Sequence, residues 1–277
     1  MHAMSLLNPP LQAQSPLGDV APVLGFPVTM APDCHSLAER LFRVTTHPEV
    51  LQAGAVAYHP HAWHVVTANP EVLMHAQAHP ETYGVCLQRA DAIFPDGMGV
   101  AFALKHQGHQ QAVRLPGIEL ASALLALAEA YDKPVALFGG SPEVQPELLN
   151  HLKRIYPRLR IVMHHHGFLS PESPECMHLV ETCAKTVPWL VLVALGCPKQ
   201  DEWITRYRPL FDGRTLMMGV GGSFDVWAGA VQRAPQWVQR CHAEWVWRLA
   251  SQPWRVQRAM PALLRFAYQI FTDTQKT

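Results

Sequence analysis

The sequence predicts an α/β fold, a mainly parallel sheet with flanking helices, followed by a helical C-terminal appendage. Three observations predict it. Short apolar runs alternate with helix-length segments, the pattern of βαβ units. One run, Leu190-Val191-Leu192-Val193-Ala194, is apolar throughout, as a strand covered on both faces requires. From about Ala234 the alternation stops, and the chain reads as helices only, rich in Trp and Arg, with Pro253 and Pro261 as breaks.

Residues 1–20 are rich in Pro, Gln and Ser and read as a flexible N-terminal arm. The core spans 21–233. Its first apolar run, Val23–Val28, predicts a strand, and Ser36–Thr45 a helix. His64–Thr67 is the next strand, followed by a helix that opens on Pro70 and runs to Ala78; Pro suits a first helical turn. Ala92–Phe94 is a strand that hands over through a Gly-flanked turn to a helix over Gly99–His106. Ile118–Tyr131 is rich in Ala and Leu, both strong helix formers. Strands Pro134–Phe138, Arg160–His164, Leu190–Ala194 and Leu216–Val220 then alternate with helices Pro142–Tyr156, Pro174–Lys185 and Asp201–Leu210. Residues 234–277 form the appendage. Every predicted strand precedes Ala234, so the core is expected to fold without it.

Composition narrows the function. At 277 residues, 49% of them apolar, the chain can bury one large core. Lys+Arg equals Asp+Glu at 22 each, so the whole chain shows no nucleic-acid bias. The charge is unevenly placed. Between Val231 and Ile270 lie Arg233, Arg240, Arg248, Arg255, Arg258 and Arg265 against one acid, Glu244. The six cysteines (34, 86, 176, 183, 197, 241) show no CxxC spacing, so neither zinc nor a dithiol centre is signalled. Unpaired-looking cysteines suit a reducing cytoplasm. No signal peptide and no apolar run of about 18 residues is visible.

Several strand ends carry chemistry. Asp96, in Pro95-Asp96-Gly97-Met98-Gly99, is a carboxylate at a strand-to-helix turn, where open α/β sheets build active sites. On spacing alone it is either a helix N-cap or a base. Three further strand ends run into glycine: Gly139-Gly140, Gly196-Cys197-Pro198-Lys199-Gln200, and Gly221-Gly222-Ser223-Phe224-Asp225. Glycine lets backbone amides approach a phosphate, and a helix N-terminus adds a favourable dipole. Three such ends in one sheet favour a nucleotide-type ligand. None is GxGxxG with an acid about 20 residues on, and none is GxxxxGK[ST]. Thr67 and Asn69 are either turn residues or polar groups that orient a hydroxyl. Arg114 is either solvated or a phosphate clamp. His164-His165-His166 lie on a strand, so three adjacent rings cannot converge on one ion. Cys197 reads as a small packed thiol. No Asp-x-Asp occurs, so a sugar transferase built from this chain works without metal or other cofactor.

In order and spacing these motifs resemble the WecG/TagA/CpsF glycosyltransferases, from about Val23 to Phe266. The match is carried by Thr67-Ala68-Asn69, Ala90-Asp91, Pro95–Gly99, Arg114-Leu115-Pro116-Gly117, Leu137–Gly140, Tyr156-Pro157, Gly167-Phe168, Leu195–Gln200, Gly219–Asp225, Gly229, Arg233-Ala234-Pro235 and Glu244-Trp245…Arg248-Leu249…Pro253…Arg255. The resemblance implies inverting, metal-independent transfer from a UDP-sugar to a polyprenyl-diphosphate-linked saccharide in surface polysaccharide synthesis. It implies Asp96 as base, Thr67 and Asn69 as an active-site polar pair, Arg114 and Gln200 as substrate contacts, and Arg248 and Arg255 closing over the diphosphates. Gly139, Gly140, Gly196, Lys199, Gly221, Gly222 and Asp225 would hold the donor. The sugar stays open among N-acetylmannosamine, its uronic acid and glucose, and a homo-oligomer is also left open. One departure stands out: Asp201 follows Pro-Lys-Gln where the family usually has Glu.

The resemblance also implies a Rossmann-like core and a peripheral place on the inner face of the cytoplasmic membrane, and the appendage supports the membrane part. Trp237, Trp245, Trp247 and Trp254 interleave with its arginines, and Trp favours the headgroup level while Arg attracts anionic lipid. Two rivals belong to other classes. A non-catalytic nucleotide-sugar-binding protein would be expected to lose Asp96 and Arg114, yet both are present. A dinucleotide-dependent oxidoreductase needs the missing GxGxxG.

Overall fold

The first β-rich run folds back on itself. In a computed structural model, which describes residues 15–47, 59–240, 244, 246–247 and 256–273, β1 (Asp19–Val23) pairs antiparallel with β2 (Phe26–Met30), Val23 opposite Phe26. Leu24 and Gly25 make the loop with φ of +52° and +83°, the left-handed pair whose twist matches flanking strands. The single strand expected over Val23–Val28 is therefore a hairpin, turned at a leucine that gives no turn signal. Residues 1–14 of the expected arm lie outside the described residues. Leu17 is fully buried, and Asp19 already belongs to β1.

Six parallel strands follow: β3 (Trp63–Ala68), β4 (Ala92–Pro95), β5 (Val135–Gly139), β6 (Ile161–His165), β7 (Leu190–Ala194) and β8 (Leu216–Gly219). The eight-stranded order is β1-β2-β4-β3-β8-β7-β5-β6. β3 and β8 are neighbours, so the first half of the chain meets the second there. Sheets of this kind bind ligands outside the carboxyl ends of strands where the strand order reverses.

Helices cover both faces. On one face lie α1 (Cys34–Thr46), α5 (Gly117–Ala130) and α6 (Val144–Ile155); Val65, Phe94, Leu137, Leu192 and Met218 point there. Their strand neighbours Val66, Ile93, Phe138, Val193 and Met217 point to the opposite face, as period-2 alternation requires. There they meet α2 (Pro70–Ala78), α3 (Val85–Gln88), α4 (Met98–His106), α7 (Pro174–Lys185) and α8 (Lys199–Tyr207). Double coverage explains the uninterrupted apolar strands.

The C-terminal segment carries α10 (Gln236–Arg240) and α11 (Val256–Asp273), after a short α9 (Ser223–Trp227). α11 lies against α2, and its Phe266 and Ile270 are buried with Val72, Leu73 and Ala76. Phe266 also closes to 3.5 Å of where a Cβ on Gly99 would stand. Burying two such side chains contributes about 3–6 kcal/mol. The segment thus contributes side chains to the second core. Pro261, expected as a break, sits inside α11, where it omits one backbone hydrogen bond near the helix start. Pro253 lies outside the described residues. Among the described residues, no helix is long and apolar enough to cross a membrane.

Candidate active site

Two strand ends meet a helix start at the first half of the crevice. β3 and β4 run in register, with Ala68 opposite Pro95, which brings Thr67, Asn69 and Asp96 to one rim. The Asp96 N–H donates to the Ala68 carbonyl at 2.9 Å. Its Oδ1 accepts the Gly117 N–H at 2.9 Å. Gly117 opens α5, so the carboxylate faces the N-terminal amides of a fourteen-residue helix, where negative charge is favoured. A Cβ on Gly117 would stand 2.9 Å from Thr67 Oγ1, and glycine is what allows the helix to approach so closely. Asp96 is not the cap of the following helix. That position belongs to Gly97, without a side-chain bond. The helix start that its carboxylate serves is that of α5.

Asn69 does act as a cap: its Oδ1 accepts the Val72 N–H at 3.1 Å at the start of α2. Cys34 lies on the same side, its thiol donating weakly to the Pro116 carbonyl at 3.7 Å. Burial pushes this thiol up to about 12, with the carboxylates of Glu119, Asp96 and Asp33 adding to the shift. At neutral pH it is a thiol, not a nucleophile.

Arg114 is neither solvated nor idle. Its Nε donates to the Asp96 carbonyl at 2.8 Å, and its Nη2 donates to Glu244 Oε2 in the C-terminal segment. Glu244 Oε1 accepts Arg233 Nε at 3.2 Å, and Arg233 Nη2 continues to Glu119 Oε1 at 2.7 Å. Burial pushes the Glu244 carboxyl up, but Arg114 and Arg233 more than offset it and hold it below its ordinary range.

The second half of the crevice is a row of glycine turns. Gly139 pairs with Ala194 across β5 and β7, and Val193 with Gly219 across β7 and β8, so the three turns are adjacent. Gly139 has φ of +112°, and a Cβ there would stand 2.3 Å from the Ala194 carbonyl oxygen; no other residue fits. Gly140, Gly196 and Gly221 also have positive φ. Gly222 precedes α9, and Lys199 is the exposed first residue of α8. Asp225, in the first turn of α9, has its carboxyl raised by burial. Phe168 follows β6 and is 61% exposed; only its place in the Gly167-Phe168 motif marked it in the sequence.

Gln200 faces inward. It is 8% exposed, and its Oε1 accepts the Gly221 N–H at 2.9 Å. It braces the Gly221 turn. The neighbouring Asp201 is buried in a polar knot that sequence reading missed. Its Oδ2 accepts the Tyr83 hydroxyl at 2.7 Å, its Oδ1 lies 3.4 Å from His64 Nε2, and Cys197 donates to the Tyr83 oxygen at 3.3 Å. Burial, with Asp201 and Cys197, pushes the Tyr83 phenol well up. Nothing in the sequence spacing joins residues 64, 83 and 201; only the fold does.

The histidine run is local in its bonding. His164 Nδ1 lies 3.2 Å from Gln145 Oε1, and His165 Nδ1 accepts the Gly167 N–H at 3.0 Å. Burial and the neighbouring histidines lower the His165 pKa. Among the described residues, no group of three His, Cys, Asp or Glu is arranged to hold a metal ion. Arg248 and Arg255, with Trp245 and Trp254, lie outside the described residues.

Residues 36–277 match the Glycosyl transferase WecG/TagA/CpsF family. The chain belongs to that family. An N-acetylglucosaminyldiphosphoundecaprenol N-acetyl-beta-D-mannosaminyltransferase of Bacillus spizizenii (strain ATCC 23059 / NRRL B-14472 / W23) is 36% identical over 199 residues, covering 71% of this chain and 75% of the relative. A protein of the same name from Staphylococcus aureus (strain MW2) is 35% identical over 216 residues, 76% of this chain and 81% of the relative. The family match runs through the C-terminal segment, in keeping with the burial of α11 against α2. Within this glycosyltransferase family the rim around Asp96 and the glycine row are the two halves of one candidate site.

Proposed function

We propose that this chain is an inverting, metal-independent glycosyltransferase. It moves a sugar of the N-acetylmannosamine type from a UDP-sugar to a polyprenyl-diphosphate-linked saccharide during bacterial surface polysaccharide synthesis. The names of the relatives support this choice of sugar and acceptor over the uronic acid or glucose. One observation carries the mechanism: the Asp96 carboxylate stands at the crevice rim, anchored by Gly117 and flanked by Thr67.

An acceptor hydroxyl is a poor nucleophile until its proton is taken. Asp96 accepts that proton as the oxygen attacks the anomeric carbon. The new C–O bond forms as the bond to UDP breaks, and a single displacement inverts the configuration. Thr67 and the Asn69 amide orient the hydroxyl. UDP leaves with growing negative charge, which amides of the Gly140, Gly196 and Gly221 turns and the Lys199 ammonium stabilise. Asp225 and the exposed ring of Phe168 offer a polar edge and a flat face to the base. Arg248 and Arg255 add positive charge from the C-terminal segment.

A lipid-linked acceptor calls for a membrane surface, and the proposed place of the reaction is the inner face of the cytoplasmic membrane. Trp237 is 68% exposed on α10. Phe102 of α4 and Leu264, Tyr268 and Phe271 of α11 are also exposed, with the Phe102 and Phe271 rings 6.1 Å apart. Such a surface suits the headgroup level. The test is a panel of UDP-sugars with a short-chain lipid-diphosphate acceptor, reading UDP release and the anomeric configuration of the product by NMR. Transfer with inversion from UDP-N-acetylmannosamine is expected. Binding of the donor with no turnover on any acceptor would favour a non-catalytic nucleotide-sugar-binding protein.

A further inference from the structure

Glu244 carries the C-terminal segment to the proposed catalytic rim. Glu244 is the single acid among the six arginines between Val231 and Ile270, and it is 9% exposed. A solvated acid there would serve only to soften a basic face. Instead both its oxygens are committed, Oε2 to Arg114 Nη2 and Oε1 to Arg233 Nε. Arg233 is tied in turn to Glu119 on the first turn of α5. Arg114 is tied to the carbonyl of Asp96 itself. The next residues complete the clasp: the Leu115 N–H donates to the Pro95 carbonyl at 2.7 Å, and the Gly117 N–H to Asp96 Oδ1 at 2.9 Å.

We infer that Glu244 is a positioning residue for the transfer reaction, acting through Arg114 to fix Asp96. The inference rests on the reading of Asp96 as base. A guanidinium presents its donors in a rigid fork. With Nη2 fixed by Glu244, the Nε–H is aimed at the Asp96 carbonyl, and the turn bearing the carboxylate cannot rotate freely. Without Glu244 the fork is held at one point only. The carboxylate then samples positions away from the attacking hydroxyl, and small misplacements of a catalytic group cost large factors in rate. The same contact makes Asp96 report on whether the C-terminal segment is seated, because Glu244 belongs to that segment and touches Arg114.

A double-mutant cycle tests this. E244Q keeps the shape of the side chain and removes its charge; E244D keeps the charge one methylene short. In full-length protein E244Q is expected to lower single-turnover transfer about tenfold, with the donor Kd unchanged within about twofold, and E244D to recover part of the loss. In a D96N background E244Q should cost less than about twofold, since groups that act as a unit are not additive. An equal loss from E244Q in both backgrounds would show a general structural role and overturn the inference, as would wild-type turnover in E244Q. A D96N variant with near wild-type activity overturns the base assignment instead, so the two failures are distinguishable. Thermal melts of each variant, with E244D as the milder change, identify any loss that comes from unfolding.

Discussion

Asp96→Asn removes the charge of the proposed base and leaves its anchors in place. The contacts that hold residue 96 include its N–H to the Ala68 carbonyl at 2.9 Å, its carbonyl from Arg114 Nε at 2.8 Å, and its Oδ1 from the Gly117 N–H at 2.9 Å. The first two belong to the backbone and survive any side chain. The third survives in Asn, which offers a neutral oxygen to the same N–H. The stability cost is the difference between a charge-assisted and a neutral hydrogen bond, about 1 kcal/mol. A domain stable by about 5–15 kcal/mol stays folded under that loss. The rate should fall by about 10²–10⁴, the usual worth of a general base, which is about 3–5 kcal/mol of barrier. The two magnitudes are far enough apart to separate. The assay is single-turnover transfer from the UDP-sugar to a soluble short-chain acceptor, with donor binding by calorimetry and a circular-dichroism melt on the same samples. Turnover above about a third of wild type would refute the assignment of the base.

Transfer is expected to survive EDTA, since the sequence has no Asp-x-Asp pair; complete loss restored by Mg²⁺ or Mn²⁺ would show that an ion meets the diphosphate charge. Tyr83→Phe removes a buried hydroxyl that donates to Asp201 at 2.7 Å. A bond of that kind contributes about 1–3 kcal/mol, so Tm should fall by about 3–10 °C, and a drop below about 1 °C would mean that the Asp201 knot does not stabilise the fold. Deleting the chain after Ala234 strips Phe266 and Ile270 from the core beside α2. The truncated protein should therefore lose thermal stability and tend to aggregate as well as lose liposome binding; an unchanged melt would restore the picture of a separable appendage.

How much of this was legible in the sequence depends on what each element uses as its signal. Strands such as Leu190–Ala194 announce themselves because burial on both faces demands unbroken apolar residues. Helix Pro70–Ala78 does so through its Asn cap and leading Pro. The β1–β2 hairpin was missed because Leu24 takes a left-handed conformation with no Asn-Gly to mark it. The π-turn at Pro80–Gly84 and the short helix after it were missed because Pro-Glu-Thr-Tyr-Gly shows no helical period. At the site, motifs located the strand ends. They could not tell which way Gln200 points, because inward and outward faces of the first turn of α8 look alike until its neighbours Trp203 and Ile204 are seen to be buried beside it.

Arg114 shows why position and role must be read separately. As an arginine after a polar loop it suggests a clamp for phosphate. In the fold its Nε is committed to the Asp96 carbonyl and its Nη2 to a carboxylate. Its charge is already balanced by Glu244 before any ligand arrives, and a diphosphate would have to compete with a buried carboxylate for it. On the proposed reading, the charge that develops on UDP is better met elsewhere, at the positive-φ turns of Gly140, Gly196 and Gly221, by Lys199, and by Arg248 and Arg255. On this account the crevice divides its labour by sheet half. On the proposed reading the β3–β4 side fixes the base through Arg114 and Glu244, and the β5–β7–β8 side receives the leaving group, with the Gly221 turn held in shape by Gln200. A single displacement needs both: one side that takes a proton without moving, and one that receives negative charge as the bond to UDP opens.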